Sequence, residues 1–158
     1  MPSGPATADR ARIAAETKPT NHGPVILYDG VCGLCSHFVQ FVLRRDRAGR
    51  FRLAPLQGPF AADALARHGL RAPDAPDSIV LLDAPGTAAE RARVRSDAVL
   101  SVLAGLGGGW RLAALLRVIP WFLRDAVYAL VARIRYRLFG RFDRCALPPP
   151  NSKHRFLD

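Results

Sequence analysis

Near its amino-terminal end the chain reads Val25-Ile26-Leu27-Tyr28-Asp29-Gly30-Val31-Cys32-Gly33-Leu34-Cys35. An uninterrupted apolar run followed by Asp-Gly is typical of a short strand that is covered on both faces and then ends. From Cys32 onward the apolar residues recur at helical spacing, and this pattern ends at Ala48-Gly49. The stretch therefore predicts a strand-to-helix junction with Cys32 at the amino-terminal end of the helix.

A Cys-x-x-Cys pair at such a junction favours redox chemistry. The unpaired N–H groups and the dipole of a helix amino terminus stabilise a thiolate, which is the attacking species in disulfide exchange. We expect Cys32 to attack a substrate disulfide and Cys35, one turn deeper, to resolve the mixed disulfide. Two alternatives stay open: a metal site completed by Cys145, or a pair that is only structural.

The rest of the chain alternates strand and helix patterns. Strands are predicted at 51–54, 78–83 and 91–95, and helices at 60–68, 98–106, 110–119 and 122–139. This order supports an α/β fold in which a parallel strand pair is followed by an antiparallel hairpin, with an added C-terminal helical extension. Residues 1–23 and 148–158 are predicted to be flexible tails around a single domain at 24–147.

Length and composition set broad limits. The chain has 158 residues, of which 49% are hydrophobic, so it can bury the core of one ordinary domain. Three Cys are too few for a disulfide scaffold, and no signal peptide or membrane-spanning run is visible. We therefore expect a reducing, cytoplasmic compartment.

The net charge of +10 comes almost entirely from Arg. Between Arg111 and Arg144 there are eight Arg and two Asp, interleaved with aromatic residues. The preferred interpretation is a helical cover on the sheet with a solvated Arg side, because the helix has an apolar stripe wide enough to be core: Val127, Leu130, Val131, Ile134 and Leu138. An anionic membrane surface is the second interpretation. No recognised motif supports nucleic acid as a partner.

Further motifs follow the pattern Asp29-x-x-Cys32-x-x-Cys35 in order: Arg52-Leu53-Ala54-Pro55-Leu56-Gln57, Asp77-Ser78-Ile79-Val80-Leu81, Ser96-Asp97-Ala98, Ile119-Pro120, Arg124-Asp125-Ala126-Val127-Tyr128 and Arg135-Tyr136-Arg137-Leu138-Phe139-Gly140. In this combination the chain resembles the DCC family, named for the Asp and the two Cys. The resemblance implies a thioredoxin-like fold, thiol-disulfide oxidoreductase activity, and Asp29, Cys32 and Cys35 as site residues. We expect a protein or small-molecule disulfide or thiol as the substrate, another dithiol system as the electron source, and no bound organic cofactor.

Asp29 needs its own explanation. A carboxylate close to Cys32 raises the pKa of the thiol. It can also accept a proton during resolution by Cys35, or cap the helix and hold the loop. We favour capping, because Asp is a preferred N-cap residue.

Other polar residues are assigned more simply. Gln57 follows a strand end, where it either bonds near the active site or serves a turn. Ser96-Asp97 is predicted to cap a helix, Asp125 to pair with a neighbouring Arg, and His37 to occupy a partly exposed helix position.

Overall fold

The computed structural model describes residues 23–70, 79–141 and 150–157. The strands are β1 (Val25–Tyr28), β2 (Arg52–Pro55), β3 (Val80–Asp83) and β4 (Arg91–Val94). The α-helices are α1 (Gly33–Arg45), α2 (Pro59–Arg67), α3 (Arg95–Leu106) and α4 (Trp121–Phe139). Two 3-10 segments span Gly108–Val118 and Pro150–Arg155.

The strands form a mixed sheet in the order β2-β1-β3-β4. β1 pairs in parallel with β2 after the α1 crossover, and β3 runs antiparallel to both β1 and β4. Ile26 lies opposite Leu53 on one side and Leu81 on the other. The predicted α/β class and thioredoxin-like sheet are confirmed, including β4 as an edge strand.

The residues of β1 alternate between two cores. Ile26 and Tyr28 face α1 and α3, where Val39, Val42 and Val102 pack against the sheet. On the other face Val25 and Leu27 pack with the apolar side of α2: Ala61, Ala64 and Leu65. Because both faces are covered, the apolar run has no polar face, as its sequence indicated.

The carboxy-terminal helix α4 faces the opposite way from the prediction. Leu123, Val127, Leu130 and Leu138 are between 52% and 68% exposed, and the buried residue of the helix is Arg135. The reason is that the inward face is held by polar contacts: the Tyr128 hydroxyl accepts the Ile79 N–H at 3.0 Å, and Arg135 reaches into the site described below. The prediction that this apolar stripe covers the sheet is therefore wrong.

The end of the chain is also docked rather than loose over the described residues 150–157. The Leu157 N–H donates to the Leu53 carbonyl at 2.8 Å, and Arg155 pairs with the buried carboxylate of Asp46. A buried carboxylate needs a partner, and Arg155 supplies it, which the prediction of a flexible tail at 148–158 missed. The predicted tail at 1–23 lies outside the described residues, except for Gly23.

Two local predictions need correction. Ser96 does not cap its helix, because α3 begins at Arg95 and the Ser96 hydroxyl donates to the Asp125 carboxylate instead. Asp97 pairs with Arg93 and Arg117. The helix predicted at 110–119 is a 3-10 segment that buries no residue.

Candidate redox site

The two cysteines lie on the first turn of α1. Cys32 occupies the N-cap position with an extended backbone (φ −89°, ψ 123°), and α1 begins at Gly33. Both residues are buried free thiols, and they lie close enough for Cys32 to affect the pKa of Cys35. The sequence correctly predicted this position at the amino terminus of the helix.

The two thiols differ in their surroundings. Burial, the neighbouring Cys32 and the hydrogen bond to it raise the pKa of Cys35 to about 12. Asp29 contributes to this rise, whereas the Arg135 guanidinium, whose Nη1 lies 4.0 Å from the Cys35 sulfur, opposes it. Cys35 is therefore a protonated thiol at neutral pH, with a cation beside its sulfur.

Asp29 is a buried carboxylate with several hydrogen-bond partners, and it does not cap the helix. Its Oδ1 accepts the Val31 N–H at 3.1 Å and the Gln57 Nε2–H at 3.0 Å. Its Oδ2 accepts the Tyr136 hydroxyl at 2.6 Å and Arg135 Nη2 at 3.3 Å. The favoured capping role is wrong, because no side chain caps α1 and the carboxylate is saturated by the loop and by α4. The loop-holding role is what the contacts support.

Gln57 lies in the site, as one of its two predicted roles required. Its Oε1 accepts the Gly30 N–H at 3.2 Å while its amide nitrogen donates to Asp29. One side chain after β2 thus holds both the backbone and the carboxylate of the β1–α1 loop. This contact fits the meeting of parallel strand ends at one edge of the sheet.

Arg135 and Tyr136 were not predicted as site residues. Burial opposes the charge on Arg135, but the thiols, Tyr136 and Asp29 around it raise its pKa overall. Burial and the hydrogen bond to Asp29 raise the pKa of Tyr136 to about 12. The available signal was an arginine four residues after Val131 and seven after Tyr128, on one helix face, inside a motif shared with the DCC family.

The end of α4 covers Cys32. The Gly33 N–H donates to the Gly140 carbonyl at 3.3 Å, and Cys32 pairs with Arg141 in an antiparallel bridge. A Cβ on Gly33 would lie 2.1 Å from the Phe139 carbonyl oxygen, so this close approach requires glycine. The end of α4 therefore packs against the backbone of Cys32 and Gly33, and Cys32 is fully buried.

An apolar cavity of about 590 Å³ reaches the other thiol. Cys35 and Arg135 line its inner end, and residues of α3, α4 and the first 3-10 segment line the rest, among them Val99, Leu116, Leu123 and Val127. The last three are themselves partly exposed, so the cavity is continuous with the outer surface of α4.

The remaining candidates lie elsewhere. His37 is exposed and contacts the edge of the Phe139 ring, and Asp125 lies 4.0 Å from an Arg95 nitrogen, as predicted. Cys145 lies outside the described residues, so its proposed place in a metal site stays a prediction. Across residues 23–70, 79–141 and 150–157, no group of three His, Cys, Asp or Glu side chains could hold a metal ion.

A family model for DCC1-like thiol-disulfide oxidoreductases matches residues 26–141, a span that contains Asp29, both cysteines and Arg135. The chain belongs to this family. This DCC family protein is 38% identical over 133 residues to the uncharacterized protein YuxK of Bacillus subtilis (strain 168), covering 84% of this chain and 93% of the relative. It is 39% identical over 125 residues to the chloroplastic DCC family protein At1g52590 of Arabidopsis thaliana, covering 78% and 69%.

No solved structure matches this DCC family protein. In the part of the chain that the structure describes, no helix is both long and apolar enough to cross a membrane.

Proposed function

We propose that this protein is a thiol-disulfide oxidoreductase in which Cys32 is the nucleophile and Cys35 the resolving thiol. The observation that carries this proposal is the position of Cys32 at the amino terminus of α1, with Cys35 on the first turn of the same helix. Unpaired N–H groups at the amino terminus of a helix are placed to stabilise an attacking sulfur. The high pKa of Cys35 argues against Cys35 as the first attacking group.

The reaction conserves atoms and electrons in two exchanges. The Cys32 thiolate attacks one sulfur of a substrate disulfide, which forms a mixed disulfide and releases the other substrate sulfur as a thiolate. Cys35 then gives its proton to the released substrate thiolate and attacks the Cys32 sulfur. This step forms the Cys32–Cys35 disulfide and releases the second substrate thiolate. The substrate gains two electrons and the protein dithiol loses them.

The other buried residues of the site act through Arg135. Its guanidinium stabilises the Cys35 thiolate as that thiolate forms, because it is the cation nearest the sulfur among the contacts described. Asp29, held by Gln57 and Tyr136, positions Arg135. Because Phe139–Arg141 covers Cys32, attack on a protein disulfide requires this segment to move aside.

The test is a titration of metal-analysed protein in glutathione redox buffers, with the disulfide mapped by mass spectrometry. We expect a reversible Cys32–Cys35 bond with a potential in the range of about −270 to −120 mV that exchange enzymes show. The Cys35→Ser variant should accumulate glutathione on Cys32, and Cys32→Ser should be inactive. Cys145→Ser is the matched control and should behave as the wild type.

Either of two results would overturn the proposal. One is a pair that stays reduced across the whole range of buffers. The other is a pair that oxidises only after a bound metal has been removed, which would favour the metal-site alternative.

A further inference from the structure

The outward surface formed by the first 3-10 segment and α4 is apolar over a long stretch. On α4 it carries Leu123, Val127, Leu130 and Leu138, which recur at helical spacing along one side. Further exposed apolar side chains come from the 3-10 segment, the turn after it and the first residues of α4: Leu112, Leu115, Leu116, Val118, Ile119, Trp121 and Phe122. Apolar patches of such extent on a soluble domain mark an interaction site.

The charges of this surface are almost all positive. Between Arg111 and Arg141 the sequence contains seven Arg, of which Arg135 is buried in the redox site, and a single acidic residue, Asp125. Asp125 is turned toward Ser96 and Arg95, whereas Arg133 and Arg137 are exposed and adjoin the apolar stripe on the helix. An apolar face bordered by arginines and aromatic rings fits the boundary between lipid headgroups and acyl chains, where Arg and Trp are favoured.

We propose that this surface docks on an anionic lipid bilayer. The bilayer supplies both requirements, an apolar layer for the leucines and negative headgroups for the arginines. Docking places the protein on the membrane surface and not across it, in keeping with the absence of a spanning helix from the described ranges. The mouth of the cavity that leads to Cys35 then faces the lipid, because Leu116, Leu123 and Val127 belong to both features.

Two other occupants fit less well. A second copy of this chain would bring two arginine-rich faces together, and like charges repel. The residues outside the described ranges offer little apolar side chain to cover the surface: residues 1–22 hold Met1 and Ile13 as their large aliphatic residues, and 71–78 hold none. Between 142 and 149 the large apolar residues are Phe142 and Leu147.

The test uses the full chain and vesicles of phosphatidylcholine with or without phosphatidylglycerol. Of the two tryptophans, Trp121 is 70% exposed on this surface, whereas the Trp110 ring packs on Phe41, so the Trp121 emission should shift to the blue when anionic vesicles are added. Co-sedimentation should require the anionic lipid and weaken as salt rises from about 0.05 to about 0.5 M.

Two variants examine the two components separately. Arg133→Gln/Arg137→Gln should weaken binding about five-fold per arginine and about thirty-fold together. Arg47→Gln/Arg50→Gln removes the same charge from exposed positions on the loop after α1, and should have a much smaller effect. Leu130→Ser/Leu138→Ser should abolish the emission shift without loss of folding, because both side chains are largely exposed.

The outcome is independent of the redox activity, since Cys32→Ser/Cys35→Ser should still bind vesicles. Absence of binding at low salt would overturn the proposal, as would equal binding to neutral vesicles. A dimer in sedimentation velocity that Leu130→Ser/Leu138→Ser dissolves, with no vesicle binding, would instead assign the surface to a second copy.

Discussion

Two buried carboxylate–arginine pairs lie at opposite ends of α1. Asp29 precedes the helix and pairs with Arg135 at 3.3 Å, and Asp46 ends it and pairs with Arg155. In each pair the arginine comes from the carboxy-terminal part of the chain, about a hundred residues away in sequence. The two pairs therefore fasten the end of the chain to the same helix.

Their surroundings make them different. Asp46 also accepts the N–H groups of Arg50 and Phe51, at 3.1 and 2.9 Å, and Arg155 also donates to the Phe51 carbonyl. Every further partner there is backbone. The Asp29 pair has one backbone partner, the Val31 N–H, and its other partners are side chains that include two groups able to titrate: Cys35 and Tyr136. An ion pair whose other partners are backbone groups contributes only to stability. An ion pair that contacts ionisable side chains also affects the pKa values of those side chains.

The largest expected effect is on stability, and it should be similar at both ends. Arg135→Met and Arg155→Met each leave a buried carboxylate unpaired, which costs about 3 kcal/mol or more in the free energy of unfolding. Urea denaturation near neutral pH measures this loss.

The same two variants should differ in their rates of disulfide exchange. Arg135→Met removes the cation at the Cys35 sulfur, so resolution of the mixed disulfide on Cys32 should slow by about ten-fold, the effect of one lost charge-assisted contact. Arg155→Met should leave that rate unchanged in the folded fraction. Equal slowing in both variants would show that the Asp29 pair acts only through stability.

A smaller difference should appear at alkaline pH. The folded state keeps Cys35 and Tyr136 protonated up to about pH 12, whereas their ordinary pKa values are 9.0 and 10.0. The unfolded chain therefore releases protons first, so stability is full below pH 9 and falls as the pH rises toward 12.

Urea midpoints measured from about pH 8 to about pH 11 test this slope. Cys35→Ala and Tyr136→Phe should each flatten it. The Arg155→Met variant should keep the wild-type slope, because the change leaves the surroundings of Cys35 and Tyr136 intact. A wild-type midpoint that does not change above pH 9 would contradict the expectation.

The smallest effect is expected from Gln57→Ala. This change removes two hydrogen bonds from the β1–α1 loop, one to Asp29 and one from Gly30, and should cost about 1–2 kcal/mol in stability. It should also slow disulfide exchange modestly, since Asp29 loses part of its support. Gln57→Glu is the informative partner variant, because a second carboxylate beside Asp29 should be worse than alanine. Asp46 has no supporting side chain equivalent to Gln57, because its supporting donors are backbone N–H groups.

The short-range order of the chain was readable from its residues. The period of apolar residues located the strands and helices, and the change of period at Asp29-Gly30 placed the cysteines at a helix amino terminus. These features depend on neighbours a few residues apart, so local physics is sufficient for them. The motifs shared with the DCC family supplied the rest of the expected fold.

Contacts across the chain were decided only by the tertiary structure. Nothing local shows that Asp29 meets Arg135, 106 residues later, or that Arg155 pairs with Asp46. The sequence pattern therefore predicts Asp29 as a helix cap and Arg155 as part of a tail. The sequence pattern also did not predict which face of α4 is buried. An apolar stripe reports which residues share a side of a helix, but burial depends on which side gains the better partners. In α4 the inward face is the polar one, because Arg135 bonds to the buried carboxylate of Asp29 and Tyr128 accepts the Ile79 N–H. The leucines therefore lie on the exposed face.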